Sequence, residues 1–141
     1  MDELDRRLVG ALQANGRATT AELGRLLGIS RTTVQSRMDR LQRRGVIAGY
    51  TVRLAPEHDL GAIRAHILIK LAPKAAAGVE AAIRRMPEVR VLHSVSGDYD
   101  MIALAGTADV GAMDLIIDRI GALPGVERTT TTIVLSTKFD R

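Results

Sequence analysis

Two four-residue runs, Met86-Pro87-Glu88-Val89 and Leu123-Pro124-Gly125-Val126, occupy corresponding places in the second half of the chain. Each sets a proline just past a stretch with helical apolar spacing, and a valine two residues later that opens a β-rich run. Proline cannot continue a helix and suits a turn or the first residue of a strand, so the two runs mark two helix-to-strand junctions. Around the first, Ile63 to Leu71 reads as a strand, Val79, Ala82, Ile83 and Met86 as a helix, and Val89 to about Ser96 as a second strand. The second junction repeats this order: a strand over Asp100 to Gly106, a helix through Met113, Ile116, Ile117 and Ile120, and a last strand from Val126 through Thr137. A βαββαβ order predicts an α+β domain of the ferredoxin-like kind, a four-stranded antiparallel sheet with both helices on one face. Outside the N-terminal third the aromatic residues are Tyr99 and Phe139. Aliphatic contact with a second copy is therefore expected to cover the other face, giving at least a dimer.

The first third has a different rhythm. Leu4, Leu8, Leu12 and Ala11 recur at helical spacing, and Asn15-Gly16 stops that run near residue 14 with residues that tolerate positive φ. Thr19 or Thr20 can cap a second helix that buries Ala21, Leu23, Leu26 and Leu27 and stops at Gly28. Ser30 can cap a third, whose stripe is Val34, Met38 and Leu41, closed by Gly45. Val46, Ile47, Tyr50, Thr51 and Val52 then suggest a short strand or wing. Pro56 and Gly61 bracket a linker, so the expected organisation is a winged helix-turn-helix over 1–53, a linker over 54–62 and the ferredoxin-like domain over 63–141.

Charge separates the same two regions. Residues 1–54 hold ten Arg against five Asp or Glu, whereas the remainder holds ten Lys or Arg against eleven acids. A basic head on a neutral body fits nucleic-acid binding, although a solvated basic helix face has the same composition. With no cysteine there is neither a disulfide framework nor a thiolate zinc site. The N-terminus is acidic and then amphipathic, unlike a secretory signal, and no stretch approaches the roughly 18 apolar residues of a membrane span. The expectation is a cytoplasmic protein without a membrane partner.

A helix-turn-helix lays its second helix in the major groove and its first across the backbone. Here Thr19 to Leu27, the turn Gly28-Ile29-Ser30 and Arg31 to Arg44 supply the parts. With Val34 pointing inward, Thr32, Ser36 and Arg40 lie nearly opposite, flanked by Thr33, Gln35 and Arg37. Gln can pair two edges of adenine, Arg those of guanine, and Ser and Thr either bases or phosphates. Arg31 begins the helix, where free amides also favour phosphate. The expected contacts to double-stranded DNA are Arg31, Thr32, Thr33, Gln35, Ser36, Arg37 and Arg40.

Leu4-Asp5, Asn15-Gly16-Arg17, Leu27-Gly28-Ile29-Ser30, Val34, Arg37, Leu41 and Gly45-Val46-Ile47 together resemble the Lrp/AsnC, or feast/famine, family of regulators. Gly97-Asp98-Tyr99-Asp100 resembles that family's central G-x-Y-D motif, and Leu123-Pro124-Gly125-Val126 with Thr129 to Thr132 its last strand. The resemblance covers essentially the whole chain. It implies a transcriptional regulator with a linker strand and a ligand-responsive domain. Dimers of such proteins pair through their sheets and often build octamers, with small effectors, commonly amino acids, held between dimers.

The Gly97 to Asp100 segment on its own reads equally as a β-turn of ordinary turn residues. The resemblance makes it a ligand-proximal loop, with Ser96, Gly97, Asp98, Tyr99 and Asp100 as effector contacts, joined by Thr130 and Thr132. A Thr run is also explained by β-propensity. Spacing does not bring His93, Asp98 and Asp100 together as a metal or acid–base site, and neither cofactor nor enzymatic activity is expected. Two competing readings remain: an architectural protein that coats DNA without an effector, and an amino-acid-binding module whose basic head docks protein.

Overall fold

The computed structural model describes residues 1–55, 58 and 61–139. They form two compact units, Met1–Arg53 and Leu54–Arg141. Pro56, at one end of the expected linker, lies outside the described residues.

The first unit is three helices, α1 (Glu3–Ala14), α2 (Thr20–Leu27) and α3 (Arg31–Arg43). Each begins where a side chain satisfies amides that a helix start leaves open. Asp2 caps α1 and accepts from the Asp5 amide, while the Asp5 carboxylate accepts from the Asp2 amide. Thr19 and Glu22 make the same reciprocal box on α2, and Ser30 caps α3 through the Thr33 amide. Gly28 ends α2 in the left-handed conformation, φ 72°. The end of α1 is different from the expected positive-φ stop. Asn15 is extended, and its side chain accepts from the Arg17 amide, so a side-chain turn breaks the helix. Leu8, Leu23, Leu27, Val34 and Leu41 form the buried core, with Leu4, Ala11, Leu12 and Met38 half-buried around it.

Two further expectations are corrected in this unit. Ala21 and Leu26 face solvent, Leu26 being 65% exposed, because an eight-residue helix against two neighbours buries a narrow stripe of Leu23, Gly24 and Leu27. Nor do residues 46–52 form a strand. A strand needs a partner ladder, and within this unit none is present, which leaves Val46, Tyr50 and Val52 exposed.

The second unit contains β1 (Ile63–Leu71), α4 (Ala76–Ile83), β2 (Val89–Ser94), β3 (Met101–Thr107), α5 (Val110–Gly121) and β4 (Val126–Ile133). The sheet is antiparallel between neighbours, in the order β2-β3-β1-β4. Alternate residues face α4 and α5: Ala65, Ile67 and Ile69 of β1 and Met101, Ala103 and Ala105 of β3 pack with Val79, Ile83, Met113, Ile116 and Ile120. This is the fold the sequence order predicts. The last strand stops at Ile133 rather than Thr137: its register pairs Ala65 with Ile133, which leaves only Arg64 and Ile63 of β1 beyond that pair, so Ser136 and Thr137 have no ladder partner on β1. Both outer pairings contain an irregularity, between Val89 and Val91 on β2 and between Lys70 and Leu71 where β1 meets β4.

Register also defines the face away from the helices. Partners place Val91 and His93, Ile102 and Leu104, His66 and Leu68, and Thr130 and Thr132 on it, half-buried or exposed. It carries a patch of aliphatic side chains between histidines and threonines.

Candidate nucleic-acid interface and sheet-face loop

The turn between α2 and α3 is tight because of a residue that the sequence pattern passes over. Gly24 lies in α2, and a Cβ there would come within 2.7 Å of the Ile29 carbonyl oxygen; the Ile29 amide donates to the Gly24 carbonyl at 3.0 Å. A glycine inside a short helix is the available signal for such a close approach. It brings the Gly28-Ile29-Ser30 turn back against α2.

The start of α3 then projects a polar surface. Arg31, Thr32, Thr33, Gln35 and Ser36 are all exposed. Ser30 Oγ and Thr33 Oγ1 share a hydrogen bond of 2.8 Å, and Gln35 Nε2 donates to Asp39 Oδ1 at 2.8 Å. These are solvent-facing contacts, which exchange readily for contacts to a ligand.

Arg37 and Arg40 turn back towards α1 instead of standing free on the outward face. Arg37 Nη1 donates to Asp5 Oδ1 at 2.7 Å and to the two oxygens of Asp2 at 2.9 and 2.7 Å. Arg40 Nη2 donates to both Asp5 oxygens at 2.9 and 3.0 Å. The Asp5 side chain is 1% exposed, against 21% for Arg37 and 44% for Arg40. A wheel drawn on one helix cannot show that the start of α1 lies alongside. Burial pushes the Asp5 carboxyl up, but hydrogen bonds from Arg37, the Asp2 amide and Arg40 outweigh it and hold the group at about 2. The Arg37 hydrogen bond likewise lowers Asp2, and Asp2 and Asp5 in turn raise Arg37.

On the second unit, Gly97 takes φ 119° in the loop between β2 and β3. The loop brings Tyr99 to β4, where its hydroxyl lies 2.7 Å from Thr130 Oγ1 and the Arg128 guanidinium sits 5.2 Å from the ring centre. Asp100 is committed to the fold: its Oδ2 accepts from the Leu71 amide at 2.8 Å, with Lys70 Nζ 3.6 Å away, and its own amide donates to Ile69. Ser96 and Asp98 are exposed on the loop, and Thr132 stands opposite His66, one outward position beyond Thr130. Tyr99, Thr130 and Arg128 are thus brought together, and Arg128 was missed because one strand residue among many carries no distinguishing pattern. Among the described residues no three His, Cys, Asp or Glu side chains gather as a metal site.

Residues 1–42 match the AsnC-type helix-turn-helix domain and residues 64–141 the Lrp/AsnC ligand binding domain. The HTH-type transcriptional regulator LrpA of Mycobacterium tuberculosis is 38% identical over 142 residues, covering 99% of this chain and 93% of that one. The structure of Escherichia coli AsnC superposes with a TM-score of 0.91 at 26% identity, covering 100% of this chain and 96% of that one. A feast or famine regulatory protein of M. tuberculosis complexed with L-methionine gives 0.89 at 36% identity, over 99% of this chain and 95% of that one. Three capped helices with a tight turn, a βαββαβ sheet domain and these matches along the whole length lead to one conclusion: the chain belongs to the Lrp/AsnC family of helix-turn-helix transcriptional regulators.

Proposed function

We propose that this regulator recognises specific duplex sequences with the first two turns of α3, that it self-associates through the open sheet face, and that a small amino acid tunes its binding. The observation that carries the reading is the exposed run Arg31, Thr32, Thr33, Gln35 and Ser36 standing immediately after the Gly28–Ser30 turn. A helix entering the major groove contacts base edges with its N-terminal residues, and this is where the exposed polar side chains of α3 that are not tied to another helix are concentrated. Arg31 is the phosphate or guanine contact, Gln35 the adenine reader, and Ser36, Thr32 and Thr33 adaptable partners. Arg37 and Arg40 brace the helix.

Selection of bound duplexes from a randomised pool tests the DNA reading. It is expected to return a two-fold symmetric site, as a dimer of heads requires. Replacing Arg31 with Ala should shallow the log-log salt dependence by about one, whereas replacing Gln35 with Ala should broaden the selected sequence. A pool with no enrichment sinks the reading.

For the effector, the loop Ser96 to Asp100 with Thr130 and Thr132 combines backbone amides near Gly97 with the Asp98 carboxylate and the Tyr99 and Thr130 hydroxyls. A free amino acid needs donors for its carboxylate and acceptors for its ammonium, and both kinds are present. The relative complexed with L-methionine supports the choice of class. Selective binding raises melting temperature by mass action, so one or a few amino acids in a thermal-shift screen should stand out. A flat screen favours effector-independent binding.

A further inference from the structure

We infer that Asp5, with Asp2 beside it, is a specificity-determining residue of the DNA interface: the two carboxylates occupy Arg37 and Arg40 as phosphates would, and so withhold two cations of the recognition helix from the DNA backbone. This rests on the reading of α3 as the DNA-contacting helix. Arg37 and Arg40 lie on α3 itself, three and six residues beyond Val34, and Arg40 is exposed enough to reach a ligand. Yet three of the shortest ion pairs in the unit, at 2.7 to 2.9 Å, tie these guanidiniums to α1. Two Arg face two Asp, so the cluster carries no net charge. Phosphate contact supplies affinity that does not depend on sequence, while base contact supplies discrimination. Sequestering two cations next to the base-reading residues therefore lowers binding to every duplex alike and leaves the base contacts of Arg31 and Gln35 a larger share of the whole. A carboxylate beside a guanidinium also fixes the pitch of α3 against α1, but that role alone predicts no change in counterion release.

The two roles separate in the salt dependence of binding to a mixed-sequence duplex, measured on the full chain. Asp2→Asn is the first variant: Asn caps a helix as well as Asp does, so the start of α1 is kept and only the charge is removed. Asp5→Asn is the second. In each, two guanidiniums face one carboxylate, and the log-log slope is expected to steepen by about 0.9 for each cation newly engaged with phosphate. Between about 50 and 200 mM salt that adds roughly a threefold to fourfold loss of affinity per contact. Discrimination between the selected site and the mixed duplex should fall in parallel. Adding Arg40→Ala to Asp5→Asn should return the slope towards wild type. Slopes equal to wild type in Asp2→Asn and in any folded Asp5→Asn overturn the inference while leaving the DNA reading intact, as does an equal loss of slope from Arg40→Ala with and without Asp5. Absence of duplex binding by the wild-type protein overturns both.

Discussion

Replacing Gly125 with Ala is expected to damage the second unit far more than its surface position in a turn suggests. The residue sits in the run Leu123-Pro124-Gly125-Val126 at φ +92°, a conformation that L side chains rarely adopt. A Cβ at this position would collide with the Ala75 Cβ, with Ala75 Cα at 3.6 Å and Val79 Cγ2 at 3.8 Å behind it. The neighbour cannot simply swing aside, because the Gly125 carbonyl accepts from the Ala72 amide at 2.8 Å and holds the two turns together. Left-handed backbone in a residue with a Cβ costs about 1–2 kcal/mol. Forcing an extra methyl into a packed site adds about 1–3 kcal/mol. The sum, about 2–5 kcal/mol, corresponds to opening some thirtyfold to a few thousandfold more frequent at about 1.4 kcal/mol per decade. Native-state amide exchange of the central strand β1 reads this directly, at one protein concentration so that self-association does not enter. Gly78→Ala is the matched control. It lies in α4 with no atom within 4 Å of its added Cβ, so Ala should stabilise by about 0.5–1 kcal/mol. Exchange in Gly125→Ala within about threefold of wild type would refute both the strain and the collision.

Two further outcomes follow from the geometry. Asp5 is held at about 2 against an ordinary 3.8, so its contribution to the stability of the helical unit is complete above pH 4 and is lost as pH falls through 2. Exchange of α3 amides should accelerate over that interval, and Asp5→Asn should remove that part of the acid dependence; an unchanged acid limb would contradict the buried ion pair. Leu68→Asp places a carboxylate at the middle of the open sheet face without touching the helix-facing core, and light scattering should show a smaller assembly than wild type. An unaltered mass would mean that another surface holds the copies together.

Much of this fold can be read from one dimension because its determinants are local. Thr19 with Glu22, Ser30 with Thr33, and the Pro-x-Val junctions each act within four residues, and the alternation of Arg64, His66 and Lys70 with Ala65, Ile67 and Ile69 on β1 announces which side is buried. What could not be read is long-range. Asp5 and Arg37 are 32 residues apart, and Tyr99 and Thr130 are 31 apart. Leu26 was misjudged for the related reason that periodicity reports how apolar a helix face is and not how many neighbours cover it. The absent strand at 46–52 shows the same dependence on a partner: Val46, Ile47, Tyr50 and Val52 have the composition of a strand, but composition supplies no ladder. Of the proposed site, the exposed polar run from Arg31 to Ser36 could be read from the sequence, whereas the pairing of Arg37 and Arg40 with α1 could not.

The irregularities in the two outer strand pairings bear on what the edges of the sheet can accept. A sheet ordered β2-β3-β1-β4 ends in two strands whose outer amides and carbonyls face away from any ladder within the chain, and a straight edge of that kind invites further strands without limit. On β2 the extra residue falls at Arg90, whose guanidinium packs back against Gly61 and Gly106, so the ladder of the edge strand is interrupted there. On β4 the sequence Val126-Glu127-Arg128-Thr129-Thr130 opens with two charges beside the irregular end of β1. An irregular margin accepts another β-strand poorly, whereas the aliphatic patch around Leu68, Ile102 and Leu104 remains open to contact. Growth along the hydrogen-bonding direction, the route to fibres, is thereby discouraged at both ends of the sheet.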